Sequence, residues 1–144
     1  MKKPEPAPGL VICYDFLWSH EREKGQGEGS KDRPCVVVAA IVQKADGKTE
    51  VLLVPVTHSP PEAQSGAVPI PAAISRHLGL DDLQSYVVTT EANAVSWDDA
   101  GIIPARPGKD WAYGRLPKGL YEDIRLAMME RLRQRTLKTA KRES

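Results

Sequence analysis

The sequence predicts a mainly β domain, in which a small, strongly curved sheet or barrel carries one or two packed helices. Short, β-branched apolar runs bounded by turn residues predict buried strands at residues 35–42 and 50–56. A segment with Asp46 and Gly47 at its tip joins the two runs, which is typical of a β-hairpin. Apolar residues at helical spacing after Pro117 predict the final helix.

The first third of the chain contains one predicted strand and one long polar loop. Residues 10–16 are apolar and partly β-branched, which predicts a strand. Residues 18–33 carry three glycines at alternate positions and evenly mixed charges, so they offer no apolar face to a core. Loops of this length are typically functional or disordered, and we predict that this one is mobile.

The remaining elements are short strands and two helices. A proline-rich stretch begins at Ser59, and Pro71 and Gly79 are residue types that start and stop a helix. The predicted elements are a strand at 67–70, a helix from Pro71 to Leu78, strands at 86–90 and 111–116, and a final helix with an apolar stripe of Leu120, Ile124, Ala127, Met128 and Leu132.

Length and composition predict one domain over residues 1–144, with its core at about 8–132 and a flexible basic tail at 133–144. The chain is 41% hydrophobic and 27% charged, as ordinary globular proteins are. Its net charge of +1 means that nucleic-acid binding would depend on a local basic patch. The first residues lack the apolar run of a signal peptide, and no stretch reaches the roughly 18 apolar residues of a membrane span. We therefore expect a cytoplasmic protein.

Several common catalytic motifs do not occur in the sequence. The glycines before Lys31 lack the spacing of a phosphate-binding loop, and a strand follows them instead of a helix. There is no CxxC, HExxH or Gly-x-Ser-x-Gly motif, and the three histidines are far apart. Cys13 and Cys35 lie inside predicted strands, which indicates buried free thiols. We expect neither a metal nor a cofactor.

One polar constellation remains. Arg33 enters the first strand of the hairpin, while Thr57 and His58 leave the second. If the strands pair antiparallel, Arg33 and Thr57 fall at the same end of the sheet. A fixed cation beside a hydroxyl and an imidazole suits phosphate chemistry.

Metal-free RNA cleavage needs a base for the 2′-hydroxyl, a cation for the charge that develops on phosphorus, and an acid for the 5′-oxygen. Arg33 could be the cation and the acid, His58 or Glu91 the base, and Thr57 a hydrogen-bonding group for a phosphate oxygen or the 2′-hydroxyl. Further residues that could bind RNA are His20, Lys24, Lys31 and Asn93.

Each of these residues also has a structural interpretation. Arg33 could form a salt bridge with the acidic loop, and Thr57 could cap a turn. His58 could be a solvated loop histidine, and Glu91 could simply face water. Trp97 and Trp111 fit a core or an interface better than a surface for stacking bases.

Taken in order, these segments resemble the PemK/MazF family of toxins from bacterial toxin–antitoxin modules. The resemblance covers about residues 8–132. Its segments are Pro8 to Val11, Asp15-Phe16, Arg33-Pro34 with the valine-rich strand, Pro55-Val56-Thr57, Gly79-Leu80-Asp81, Thr90-Glu91, the Trp97 segment, and Gly114-Arg115-Leu116-Pro117.

The resemblance implies an SH3-like barrel, a homodimer, and a growth-inhibiting toxin that cleaves single-stranded mRNA sequence-selectively and without metal. It also implies a cognate antitoxin that covers the RNA site. Arg33 and Thr57 match the catalytic arginine and threonine of the family. In a two-fold dimer the loop with His20, Lys24 and Lys31 would flank a shared groove, where its charge can hold RNA.

Two departures from the family pattern matter. The loop before Arg33 is longer and richer in glycine than usual. Residues 90–93 read Thr-Glu-Ala-Asn where many relatives have Asp-Gln followed by an arginine, so one cation is lost. We therefore hypothesise that His58 compensates through proton transfer.

The first interpretation of function is thus a toxin endoribonuclease. The alternative is a catalytically weak or inactive barrel that serves as a binding module for RNA or for a protein partner. A purely structural domain is the third possibility. An acidic reading frame adjoining this gene would favour the toxin.

Overall fold

A computed structural model describes residues 2–27, 29, 31–59 and 67–142, so most of the predicted proline-rich stretch lies outside the described residues. The strands are β1 (Leu10–Tyr14), β2 (Arg33–Val42), β3 (Thr49–Thr57), β4 (Val68–Ile70), β5 (Ser85–Val87), β6 (Glu91–Ser96), β7 (Ile102–Ile103), β8 (Gly114–Arg115) and β9 (Lys138–Lys141). The helices are α1 (Ser19–Glu23), α2 (Ala72–His77) and α3 (Lys118–Arg133). The predicted mainly β fold with a helix near the C-terminus is confirmed.

The sheet is built around β3, which pairs with β2 along one edge and with β5 and β6 along the other. Beyond β2 lies β1, whose far edge pairs with β7 and β8. On the opposite side β4 pairs with β5, and β9 runs parallel to β6. Over the described residues the sheet is open, so the predicted closure into an SH3-like barrel is not confirmed.

Apolar side chains pack on both faces of this sheet. On β2, Val36 joins a cluster with α3, while its neighbour Val37 joins a second cluster on the other face. Because successive residues of a strand point to opposite faces, burial of both faces requires a continuous apolar run. This is why residues 35–38 read as unbroken hydrophobic sequence.

Helix α3 covers one face of the sheet. Pro117 precedes its first turn, and Ile124 and Met128 of the predicted stripe are buried at 0% and 3% exposure. Leu132, in the last turn of the helix, is 58% exposed. The helix from Pro71 is also confirmed, and Gly79 follows it with a φ of 69°. Among the described residues, no helix is both long and apolar enough to cross a membrane.

The predicted polar loop contains helix α1 and contacts the core. The Glu21 carboxylate is buried and accepts a hydrogen bond from the backbone N–H of Trp18 at 3.0 Å. The Trp18 ring packs edge-on against Phe16, with centroids 5.2 Å apart. The sequence pattern did not indicate this because the helix is short and its buried residue is charged.

The C-terminal segment also differs from the predicted flexible tail. Strand β9 lies against β6, with Ala140 buried opposite Asn93. Beyond it, Arg142 donates to both carboxylate oxygens of Asp15 at 2.7 Å and lies 4.8 Å from the ring of Tyr14. The partner lies 127 residues away along the chain, so no local pattern predicts the pair.

Burial of Asp15 has an electrostatic consequence. Desolvation raises the pKa of Asp15, although the neighbouring Arg142 guanidinium acts to lower it. The ion pair is nearly inaccessible to water, with side-chain exposures of 6% for Arg142 and 16% for Asp15. Loss of the cation would leave a buried carboxylate without its counterion, which is among the costlier defects in a folded protein.

We therefore expect Arg142→Ala to lower the free energy of unfolding by about 3–5 kcal/mol at neutral pH. The deficit should shrink as the pH falls, because loss of the guanidinium raises the pKa of Asp15 further in the variant, whose folded state then takes up a proton at higher pH than the wild type and so loses the unpaired charge. Urea denaturation at several pH values measures both effects. Lys141→Ala is the matched control, since Lys141 is 68% exposed and its pairing with Glu50 should cost at most about 1 kcal/mol. Equal stability of the two variants would contradict the prediction.

Candidate functional site

The β2–β3 pairing brings Arg33 and Thr57 together at one end of the hairpin. Cys35 lies opposite Pro55. Continuing this antiparallel register by two positions places Arg33 opposite Thr57. Both side chains line a cleft of about 730 Å³, which His58 also lines. The geometry predicted for Arg33 and Thr57 is confirmed.

A β-bulge determines which residue faces Arg33. On the turn side the pairing is Ala39 with Leu52, and it shifts by one residue between Val37 and Ala39. Without the shift, that pairing would place Arg33 opposite His58 instead of Thr57. A bulge places two residues of one strand opposite a single partner and moves everything beyond it by one position. The bulge therefore sets Thr57, and not His58, opposite Arg33 in the register.

Arg33 has unused hydrogen-bonding capacity. Its guanidinium carbon lies 5.2 Å from the centroid of the Trp18 ring. Its Nε is buried and has no hydrogen-bond partner among the described residues. A buried donor without a partner is costly, and Arg33 also lines the cleft, where its guanidinium can donate to an anion. Trp18 is a site residue that the sequence reasoning missed.

The Thr57 side chain accepts a hydrogen bond in a local turn. Its Oγ1 accepts from the backbone N–H of Ser59 at 3.2 Å, which is the turn-capping role considered above. That bond uses a lone pair of the oxygen and leaves the hydroxyl proton for another acceptor. The structural and the functional interpretation of Thr57 are thus compatible.

His58 is held by the loop after α2. Its Nε2 lies 2.8 Å from Oδ2 of Asp81, and its Nδ1 lies 3.1 Å from the carbonyl oxygen of Gln84. His58 is therefore not a free loop histidine, although its side chain is 41% exposed. Asp81 also lines the cleft and was not predicted as a site residue. Its only sequence signal was its place in the Gly79-Leu80-Asp81 segment.

The cleft is locally rich in basic and titratable groups. Of the loop residues predicted to bind RNA, His20 and Lys31 line it, whereas Lys24 is not among its lining residues. The carboxylates of Asp32 and Asp81 also line the cleft and partly offset this charge.

Glu91 and Asn93 lie away from the cleft. Asn93 is 1% exposed; its side chain accepts from the backbone N–H of Leu17 at 2.8 Å and donates to the carbonyl of Leu17 at 2.9 Å. Glu91 accepts from the backbone N–H of Ser19 at 2.6 Å and lines a different cavity. The two residues thus bind the backbone on either side of Trp18. Burial leaves Asn93 no surface for RNA, and the function proposed below does not include either residue.

The thiols and the phenol near the cleft are poor nucleophiles or bases. Burial raises the pKa of Cys35 well above its usual value, although Arg33 nearby acts to lower it, and burial also raises the pKa of Cys13. Burial raises the pKa of Tyr113, whose side chain lines the cleft. These groups therefore stay protonated near neutral pH. No group of three or more potential metal ligands occurs among the described residues.

Two solved structures resemble this chain along most of its length. They are crystal structures of MazE–MazF from Deinococcus radiodurans, Form-III and Form-II, each with a TM-score of 0.56. The identities are 18% and 17%, over 88% and 90% of this chain and 95% and 97% of the matched chains. No protein-family model and no curated protein matches the sequence. The resemblance seen in the sequence is thus confirmed at the level of the fold.

We predict that Asn93 is required for stability. Asn93→Ala leaves the N–H and C=O of Leu17 without their partners in the interior, which should cost about 2 kcal/mol or more. Ser96→Ala on the same strand is the control, because Ser96 is only half-buried. Urea denaturation followed by circular dichroism compares the two variants. If Asn93→Ala is as stable as the control, Asn93 does not anchor this segment.

Proposed function

We propose that this chain is the toxin of a toxin–antitoxin module, and that it cleaves single-stranded RNA in the cleft lined by Arg33 and Thr57. The observation that carries the proposal is the register of β2 and β3, which sets Arg33 opposite Thr57 on the wall of one cleft, with the Nε of Arg33 lacking a partner among the described residues. The likeness of the fold to the MazE–MazF structures supports it.

The reaction fits these two side chains. In metal-free RNA cleavage the 2′-hydroxyl loses its proton as its oxygen bonds to phosphorus, and the bond from phosphorus to the 5′-oxygen breaks as that oxygen gains a proton. A 2′,3′-cyclic phosphate and a 5′-hydroxyl form with no net change in protons. Negative charge grows on the non-bridging oxygens during the attack. The guanidinium of Arg33 donates to these oxygens, and the Thr57 hydroxyl orients a phosphate oxygen or the 2′-hydroxyl. The RNA supplies its own nucleophile, which agrees with the protonated thiols near the site.

An antitoxin partner and a homodimer are part of the proposal. An acidic or extended antitoxin segment would occupy the cleft in place of RNA, because both offer anions to Arg33 and Lys31. Helix α3 exposes three apolar side chains, Leu126, Met129 and Leu132, at 51–58%, and such a patch favours association with a second copy in the cytoplasm. Sedimentation at micromolar concentration tests the dimer.

The alternative function, RNA binding without cleavage, is supported by the same site. Glu91 and Asn93 do not line the cleft, so neither supplies a base or an RNA-binding group there. Binding of RNA without any cleavage product would favour this alternative.

The decisive variant is Arg33→Ala. Loss of a preorganised donor to the transition state should reduce RNA cleavage about 10²–10³-fold and relieve growth inhibition on induced expression in bacteria. Cleavage of a mixed-sequence RNA is measured beside growth, and a thermal melt verifies folding. Arg76→Ala on exposed α2 removes the same charge outside the cleft and should leave cleavage unchanged. Full cleavage by folded Arg33→Ala protein would refute the assignment.

Salt dependence tests the local character of the basic patch. Because the chain has a net charge of only +1, RNA affinity must come from the few cations near the cleft. Each phosphate contact contributes about −0.7 to the slope of log K against log salt for a single strand. We expect a measurable negative slope that becomes shallower by about this amount in Lys31→Ala. An affinity independent of salt would exclude the cationic cleft as the binding site.

A further inference from the structure

Both ring nitrogens of His58 face hydrogen-bond acceptors. Its Nδ1 lies 3.1 Å from the carbonyl oxygen of Gln84, which can only accept, so this contact is a hydrogen bond when Nδ1 carries a hydrogen. Its Nε2 lies 2.8 Å from a carboxylate oxygen of Asp81, and a proton must lie between two such atoms. Ser85 does not change this, because its hydroxyl lies 3.4 Å from Nδ1 and can donate to the carbonyl of Leu83 at 3.4 Å.

We propose that His58 acts as an imidazolium held by Asp81, and that it gives the cleft a further, pH-dependent cation for an RNA phosphate. This inference rests on the proposed function and reverses the proton-accepting role hypothesised from the sequence. A ring whose two nitrogens both donate has no lone pair with which to take the 2′-hydroxyl proton. Its positive charge, however, stands in the same cleft as Arg33.

Asp81 is the positioning residue in this arrangement. Its Oδ1 accepts from the backbone N–H of Leu83 at 3.1 Å, which leaves Oδ2 for the imidazole. The side chains of His58 and Asp81 are 41% and 56% exposed, so the pair is worth only about 0.2–1 kcal/mol. A phosphate can therefore displace the carboxylate from Nε2. In the free chain Asp81 retains the proton on the ring, and in the complex the phosphate takes the freed N–H.

Other ionisable groups share the cleft and must be separated from His58. They are His20 on α1, Lys31, Asp32 and Arg33 at the start of β2, Asp81 after α2, and Tyr113 before β8. His20 is the other imidazole among them, so His20→Gln is needed to remove its titration from the measured profile.

The two possible roles of His58 predict opposite signs of pH dependence. A general base must be neutral, so its contribution rises with pH through the titration of the ring. An imidazolium that binds phosphate loses its charge over the same range, so its contribution falls as the pH rises. Whether the contribution of His58 rises or falls with pH thus distinguishes the two roles.

The test uses a mixed-sequence single-stranded RNA with 2′-O-methyl riboses, which can bind but cannot be cleaved. Its affinity is measured against pH at constant ionic strength, with His20→Gln as the background. We expect affinity to fall as the pH rises and His58→Gln to remove this fall. Asp81→Asn keeps the Oδ1 acceptor for Leu83 but removes the charge that favours the protonated ring, so the fall in affinity should set in at a lower pH than in wild type.

Asp82→Asn is the matched control, because it removes the same charge from the exposed neighbouring position and should leave affinity unchanged. Nitrogen NMR of the ring, assigned through His58→Gln, should show the second proton leaving at lower pH in Asp81→Asn than in wild type. Asp82→Asn should not shift it. These readouts report on the ring itself and would not move if Asp81 only shaped the turn.

An affinity that rises with pH or does not depend on it would overturn the inference, as would absence of RNA binding. Equal behaviour of Asp81→Asn and Asp82→Asn would overturn the role of Asp81. The outcome is separable from that of the proposed function. Falling affinity with unmodified RNA left intact would refute cleavage and support the inference, whereas cleavage with pH-independent binding would do the reverse.

Discussion

The register between β2 and β3 is the constraint on which the cleft depends. Both strands are covered by apolar side chains on their two faces, so a slip of one residue would exchange Val36 and Val37 between two different clusters. The packing therefore holds the pairing in place. The bulge in β2 sits inside this packed region, and it sets Arg33 opposite Thr57. The packing of the core thus also determines the position of the polar site.

A second set of contacts, made by β6 and by the segment after β9, holds the chain around Trp18 in place. Asn93 and Glu91 on β6 hold the backbone of Leu17 and Ser19, and the ring between them, Trp18, lies beside the guanidinium of Arg33. Strand β9 adds to the outer edge of β6. Arg142, which follows it, joins this edge to Asp15 at the end of β1. Residues that do not line the cleft therefore help to fix the position of Trp18, which does.

Electrostatics in this protein are local. The whole chain is nearly neutral, but one cleft gathers Arg33, Lys31 and two histidines beside two carboxylates. In such a cleft an anionic ligand binds by displacing a carboxylate that is only weakly held. The carboxylate of Asp81 occupies a donor that a phosphate could use, so the free cleft already contains a group of the same charge as its proposed ligand.

The sequence by itself determined the strands that are buried on both faces, the hairpin turn, the helices after Pro71 and Pro117, and the meeting of Arg33 and Thr57. These features depend on residues that are close together in the sequence, so the spacing of apolar residues and the turn residues are enough to predict them. Only the tertiary structure decided the openness of the sheet, the bulge, and the partners of Trp18, His58 and Arg142. Each of those contacts joins segments far apart in the chain, and a charged residue such as Glu21 or a polar one such as Asn93 becomes a core residue only when its hydrogen-bonding partners arrive from elsewhere.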